Sequence, residues 1–262
     1  MTDGPVAVVT GAARGIGEAV ARSLADAGWR LVLVDVCDDD PALAYPLATR
    51  KQLDQVAAAT GGLAVVGDVR SQSDLDASVR QATERFGRLD AAVAAAGVMA
   101  GGRTAWETPE EAWRAVMAVN VEGVWRLARA AVPALLARPR PRSGRFVAIS
   151  SVAGMSGMPL LAAYSAAKHA VVGLVRSLAA ELGPEGITAN VVSPGSTTTA
   201  MLEASALVYD LADTTSFVQH HLIPRLIEPA EVAAMVAWLV GPASSAVTGA
   251  VLPVDAGMSA ST

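Results

Sequence analysis

Val6-Ala7-Val8-Val9-Thr10-Gly11-Ala12-Ala13-Arg14-Gly15-Ile16-Gly17 is the stretch on which the fold of this chain turns. A short apolar run leads into a glycine-rich turn and then into an Ala- and Leu-containing segment over 15–27, which reads as strand, turn and helix. Glycines stand where backbone has to approach a ligand closely, and a pyrophosphate at the helix N-terminus is the natural occupant of such a turn. Tight turns need glycine as well, so the motif counts through its setting between a strand and a helix.

Outward from this stretch the same unit repeats. Short apolar runs at 6–9, 31–34, 63–66, 91–95, 146–149, 188–192 and 251–254 alternate with longer segments such as 71–86, 119–136, 162–182 and 229–239. Runs that are apolar throughout belong to strands buried on both faces, and their alternation with helices predicts an α/β fold. The expectation is one doubly wound, Rossmann-like parallel sheet of seven strands flanked by helices, with residues 1–262 forming a single dinucleotide-binding and catalytic domain. Two stretches interrupt the alternation, an acidic, Pro-containing insertion at about 37–50 and an irregular flap at about 196–228. Both follow the carboxyl end of a strand, where open α/β sheets bind ligands, so both are read as walls of the site.

Composition narrows the function. Hydrophobic residues make up 52% and aromatic ones only 4%, so the core is built from Ala, Val and Leu with close helix-to-sheet contacts. A net charge of −5 with scattered Lys and Arg gives no footprint for nucleic acid or an anionic membrane, and no run approaches a spanning helix. The single cysteine, Cys37, excludes an internal disulfide, and the first strand begins without a signal-peptide pattern, so the expected location is cytoplasmic. No metal is expected, since the adjacent His220 and His221 lack carboxylate or thiolate partners at ligand spacing.

The chemistry is concentrated further along. Tyr164-Ser165-Ala166-Ala167-Lys168 sets a phenol and an ammonium four residues apart in a helical segment, which places both on one face. A phenol of pKa about 10 is a poor base at neutral pH, and a fixed cation beside it pulls that value down. Ser151, just past the strand 146–149, delivers a hydroxyl to the same edge, while alternation points its neighbour Ser150 away. Asp35 ends the second strand, where a carboxylate can accept hydrogen bonds from ribose hydroxyls and repel a 2′-phosphate, which favours NAD over NADP. Arg14 argues the other way, as a cation within the glycine turn. Asp68-Val69 can bond an adenine edge, and Asp68 can also cap the following helix.

With these residues in view, the chain resembles a short-chain dehydrogenase/reductase over essentially its full length. The resemblance rests on Thr10 to Gly17, Asp35, Asp68, Gly97, Asn120, Ser151, Tyr164, Lys168, Pro194-Gly195 with Thr199, and a closing Asp255-Ala256-Gly257, all in the family's order. One departure is Ala94-Ala95-Ala96-Gly97, where the family usually has Asn-Asn-Ala-Gly. The resemblance implies alcohol oxidation or ketone reduction with NAD. Tyr164 exchanges the proton, Ser151 holds the substrate oxygen, Lys168 lowers the phenol pKa and bonds the nicotinamide ribose, and Asn120 holds water that links Lys168 to solvent. It implies a cofactor contact set of Gly11, Arg14, Gly15, Ile16, Gly17, Asp35, Asp68, Val69, Ala96, Gly97, Tyr164, Lys168, Pro194, Gly195, Thr197 and Thr199. Thr199 also suits a helix N-cap. A homotetramer is implied, with segments 119–136 and 162–182 between subunits.

The insertion, Asp35 to Arg50, together with Ala94 to Gly102 and the tail 241–249, is similar to the mycofactocin-coupled branch of the family. In that branch the added segment covers a nicotinamide cofactor that does not exchange readily, and electrons leave through a separate redox peptide cofactor. Tyr45, Pro46 and Leu47 supply apolar matter for such a cover. Leu202, Leu207, Tyr209, Phe217 and Leu222 form an apolar flap suited to a small hydrophobic secondary alcohol or ketone, and Met99, Trp106 and Trp113 either line the pocket or fill the core. The competing readings are a carbonyl or ketoacyl reductase with freely exchanging NAD(P), which Asp35 and the insertion disfavour, and a non-catalytic dinucleotide sensor, which would not need Ser151, Tyr164 and Lys168.

Overall fold

The computed structural model describes residues 4–260. Its seven strands, β1 (Val6–Thr10), β2 (Arg30–Asp35), β3 (Leu63–Val66), β4 (Ala91–Ala94), β5 (Arg145–Ile149), β6 (Thr188–Pro194) and β7 (Val251–Val254), form one sheet in the order β3-β2-β1-β4-β5-β6-β7. Every neighbouring pair is parallel. The expected doubly wound sheet is therefore present, with strand ends within a few residues of those read from the apolar runs.

Strand alternation divides the core into two layers. Val6, Val8, Val32, Val34, Phe146 and Ala148 face one side, where they pack with α3 (Gln72–Phe86), α5 (Gly123–Leu136) and α6 (Ala162–Leu182). Ala7, Val9, Leu31, Leu33, Val147 and Ile149 face the other, against α1 (Gly15–Asp26), α2 (Arg50–Thr60) and α8 (Pro229–Val240). Small residues at many of these positions let helices sit close on the sheet, and Phe146 is the bulkiest fully buried side chain. Among the described residues no helix is long and apolar enough to cross a membrane.

Three local features depart from the simplest reading. The segment 119–136 is not one uniform helix: α4 (Glu110–Met117) runs into a wide π turn, Ala118–Glu122, and only then into α5. The flap contains regular structure, α7 (Ala200–Val208) and a 3₁₀ turn over Thr214–His220. Its two ends are stitched together, since the Thr198 N–H donates to the Ile227 carbonyl at 2.9 Å and the Ile227 N–H to the Ser196 carbonyl at 3.0 Å. Trp106 and Trp113, considered for pocket or core, are 85% and 40% exposed, because both lie on the outer excursion around α4.

Phe146→Ala should test how far the core depends on one large side chain. Loss of about 3 to 5 kcal/mol is expected in urea unfolding, with the cavity left at the sheet centre as the cause.

Candidate active site

Two contiguous cavities open along the carboxyl edge of the sheet. The first, of about 680 Å³, runs from the β1 turn past the ends of β2 and β3 to β4. The second, of about 910 Å³, lies between the ends of β5 and β6, the start of α6 and the flap. Ile16, Ala95, Gly97, Thr199 and Met201 border both.

The first cavity is shaped for an extended anion. Gly11 adopts φ +68°, and a Cβ there would lie 2.6 Å from the Ala96 backbone, so only glycine lets β1 end against the β4 edge. A Cβ on Gly17 would meet the Gly11 carbonyl oxygen at 2.0 Å, which keeps the helix start pressed onto the turn. No side chain caps α1, leaving its first N–H groups for a phosphate at the positive end of the helix. Asp35 accepts the Ala13 N–H at 2.9 Å through one carboxylate oxygen. Burial raises its pKa against the backbone bonds that lower it. These features fit a dinucleotide, with Asp35 placed to bond a ribose.

Arg14, weighed from the sequence as a phosphate partner, instead donates to the Pro46 carbonyl at 2.9 Å. Asp68 does not cap α3; Ser71 does, accepting the Asp74 N–H, while Asp68 pairs with Arg70 at 2.7 Å. Burial opposes the Asp68 charge, yet the hydrogen bonds from Arg70 prevail and hold its carboxyl below the usual range. Arg70 also reaches Asp40 of the insertion at 2.7 Å. The insertion is thus fastened from the glycine turn and from the end of β3, and its Asp40, Tyr45, Leu47 and Ala48 line the first cavity. Val69, Ala96 and Gly97 line it as well.

Ser151, Tyr164 and Lys168 converge on the second cavity, together with Pro194, Gly195, Thr197 and Thr199. The Ser151 hydroxyl accepts the Ala153 N–H at 3.1 Å, whereas that of Ser150 donates to the Lys168 carbonyl at 2.9 Å. Thr199 caps α7 through the Leu202 N–H and donates to the Thr197 carbonyl. The Asn120 side chain does not reach either cavity: its amide makes two 2.8 Å bonds to the Val98 backbone, holding the loop after β4 against the π turn.

Electrostatics here differ from the simple expectation. Lys168 is buried, donates to the Ile149 carbonyl at 3.0 Å, and its Nζ lies 5.5 Å from the centre of the Tyr164 ring. Burial lowers its pKa to about 8. Burial likewise pushes the Tyr164 phenol up to about 12, the Ser151 hydrogen bond acting against that rise. Both groups therefore rest neutral more readily than in water. A group that brings charge to the site is needed to shift the pair toward phenolate.

Met158, Met201 and Met258, which sequence reasoning missed, complete the second cavity beside the expected Met99, Tyr209 and Phe217. Met201 Sδ lies 3.8 Å from the Tyr164 hydroxyl, and Met99, Met158 and Met258 also line the wall. Met201 could have been foreseen from Thr199, since a cap there puts position 201 in the first turn of a helix facing the cavity. Tyr209 and Phe217 line the cavity and meet edge to face at 6.1 Å. Leu207 and Leu222, grouped with them from the sequence, are 75% and 63% exposed. His220 borders the cavity, while His221 is buried with Nδ1 2.6 Å from the Arg225 carbonyl.

Comparison with known proteins agrees with this geometry. Residues 11–259 match the family described as enoyl-(acyl carrier protein) reductase. A (−)-trans-carveol dehydrogenase of Rhodococcus erythropolis is 37% identical over 274 residues, covering 97% of each chain. An uncharacterized NAD-dependent oxidoreductase of Mycobacterium tuberculosis is 38% identical over 266 residues, covering 97% of this chain and 95% of that one. Among solved structures, a carveol dehydrogenase from Mycobacterium avium in complex with NAD superposes with a TM-score of 0.92 at 34% identity, with 97% of both chains covered. The chain belongs to the short-chain dehydrogenase/reductase family and is an oxidoreductase of that family.

Lys168→Met should separate stability from chemistry. A folded-state pKa near 8 instead of 10.5 means the ammonium is disfavoured by folding, a cost fully present below pH 8 and fading as pH rises to the unfolded value. Removing it is expected to stabilise the fold at neutral pH by up to about 3 kcal/mol, seen as a raised Tm, while turnover falls.

Proposed function

We propose that the chain interconverts a small hydrophobic secondary alcohol and its ketone, with NAD in the first cavity and the substrate in the second. The observation that carries this reading is the convergence of Ser151, Tyr164 and Lys168 at the border of a cavity built for a dinucleotide. The second cavity suits an apolar alicyclic compound, since four of the chain's eight methionines line it, and thioether side chains adapt to varied hydrocarbon shapes. The carveol dehydrogenases among the relatives point to the same substrate class.

When bound, NAD supplies the redox chemistry, accepting or returning the hydrogen on the carbinol carbon. The chain's own part is proton handling and positioning. Tyr164 takes the hydroxyl proton in oxidation and returns it in reduction, and the Ser151 hydroxyl holds the substrate oxygen and stabilises developing alkoxide. Lys168, with its Nζ 5.5 Å from the ring centre, supports the phenolate as a cation, and a bound oxidised nicotinamide would add positive charge that favours the phenolate further. With its amide engaged by Val98, Asn120 acts by fixing the wall behind Gly97, and any water linking Lys168 to solvent depends on the main chain of the π turn. Asp35 opposes a 2′-phosphate, and Arg14 is already engaged by Pro46, which supports NAD over NADP.

A finer reading is that NAD is retained and reoxidised in place through a mycofactocin-type carrier. Its support is the fastening of the insertion at Arg14 and Arg70 along the cavity wall. We further propose a homotetramer held through α5 and α6, in accord with the exposed Trp125 on α5.

The copurifying nucleotide identifies the cofactor: mass and absorbance of NAD(H) are expected, with slow turnover on added NAD and faster turnover with an artificial electron acceptor. Rapid exchange of labelled NAD would sink the retained-cofactor reading while leaving the dehydrogenase intact. Tyr164→Phe should lower turnover by on the order of 10³ and leave the nucleotide bound. Oxidation needs the phenol deprotonated, so in the wild type its rate should rise with pH through the alkaline range while ketone reduction falls. Equal slopes in both directions would count against Tyr164 as the proton-exchanging group.

A further inference from the structure

The insertion meets the substrate side of the site at Tyr45. This side chain lines the first cavity, and its phenolic oxygen accepts the Met99 N–H at 2.9 Å. Met99 is itself buried and lines the second cavity. The Tyr45 ring packs in a small apolar cluster with Met99, Leu161 and Ala204, joined by Tyr164 and Met201. Burial keeps the Tyr45 hydroxyl neutral, raising its pKa against the lowering effect of the Met99 bond. One hydrogen bond therefore joins the cover of the nucleotide cavity to a wall of the substrate cavity.

The bond matters because of where it falls. Met99 follows Ala94-Ala95-Ala96-Gly97, a stretch with no polar side chains to pin it. Asn120 holds Val98, and Tyr45 holds the next residue, so the course of this loop past the substrate depends on a side chain contributed by the insertion. The insertion's other polar side-chain ties to the rest of the chain, Arg70 to Asp40 and Arg14 to Pro46, involve no residue of the second cavity.

We propose that Tyr45 is a positioning residue of the substrate site, holding Met99 in the wall that favours bulky alicyclic alcohols over small ones, and that the same bond keeps the insertion closed over the nucleotide. Substrate selectivity and cofactor retention are then coupled through one contact. This rests on the assignment of the two cavities to NAD and substrate made above.

Tyr45→Phe keeps the ring and its packing but removes the acceptor, leaving the Met99 N–H without a partner. In the full chain, NADH release is followed by stopped-flow fluorescence, and kcat and KM are measured for carveol and isopropanol. Tyr45→Phe is expected to speed NADH release about tenfold and to raise KM for carveol about fivefold relative to isopropanol, with kcat changed less than about twofold. Arg70→Ala should speed NADH release while leaving the ratio of the two KM values alone. Faster release in Tyr45→Phe with an unchanged KM ratio overturns the coupling, as does a shift of that ratio equally large in Arg70→Ala. Unaltered behaviour in Tyr45→Phe on both measures overturns the proposal outright. A wild-type protein that binds no NADH would instead remove the dinucleotide assignment beneath it, a result visible before either variant is made.

Discussion

A parallel sheet covered on both faces imposes one constraint from which the site follows: every connection must cross back over the sheet, so all carboxyl ends lie along one edge. In this chain β1, the innermost turn of the winding, ends against β4 because Gly11 leaves no Cβ between them. The crevice on that side receives the glycine turn, Asp35, the ends of β4 and β5, and the first turns of α6. Residues distant in sequence come together there without any one of them specifying the arrangement.

Burial gives the site its character and also its cost. Lys168 donates to the Ile149 carbonyl and Tyr164 meets the Ser151 hydroxyl and the Met201 thioether, while burial suppresses charge on both. In the reaction proposed above, the pair is held short of its working state until a charged cofactor joins it. Such strain on ionisation is what a fold accepts at a functional site, and the Ala- and Val-rich layers on either side of the sheet carry the stability that offsets it.

Much of this was legible in the residues. The apolar runs located the seven strands because strands buried on both faces tolerate few polar side chains, and the glycine turn was informative because its backbone demands leave few alternatives. Ser151, Tyr164 and Lys168 met as their spacing required. The limits were set by tertiary choices that local pattern does not encode. Nothing near Arg14 foretold that its guanidinium would be engaged by Pro46, since that bond joins residues 32 apart across α1, β2 and an insertion with no periodicity. Asp68 stood where a cap was plausible, but Ser71 took the role and Arg70 took Asp68. The π turn at Ala118–Glu122 passed as ordinary helix because local pattern does not separate a single wide turn from the α-helices on either side of it. In the flap, apolar character was visible but direction was not: Leu202 and Phe217 face inward, Leu207 outward.

The stitched neck of the flap has an evolutionary meaning. Because Ser196, Thr198 and Ile227 close the excursion at its base, the stretch between α7 and Leu222 can change in length or sequence without pulling on β6 or α8. The entropic penalty for a longer loop closed at a fixed neck grows only slowly with its length. A lineage carrying this architecture can exchange the material that surrounds the substrate as a cassette, inheriting an unchanged proton-transfer apparatus with each new specificity.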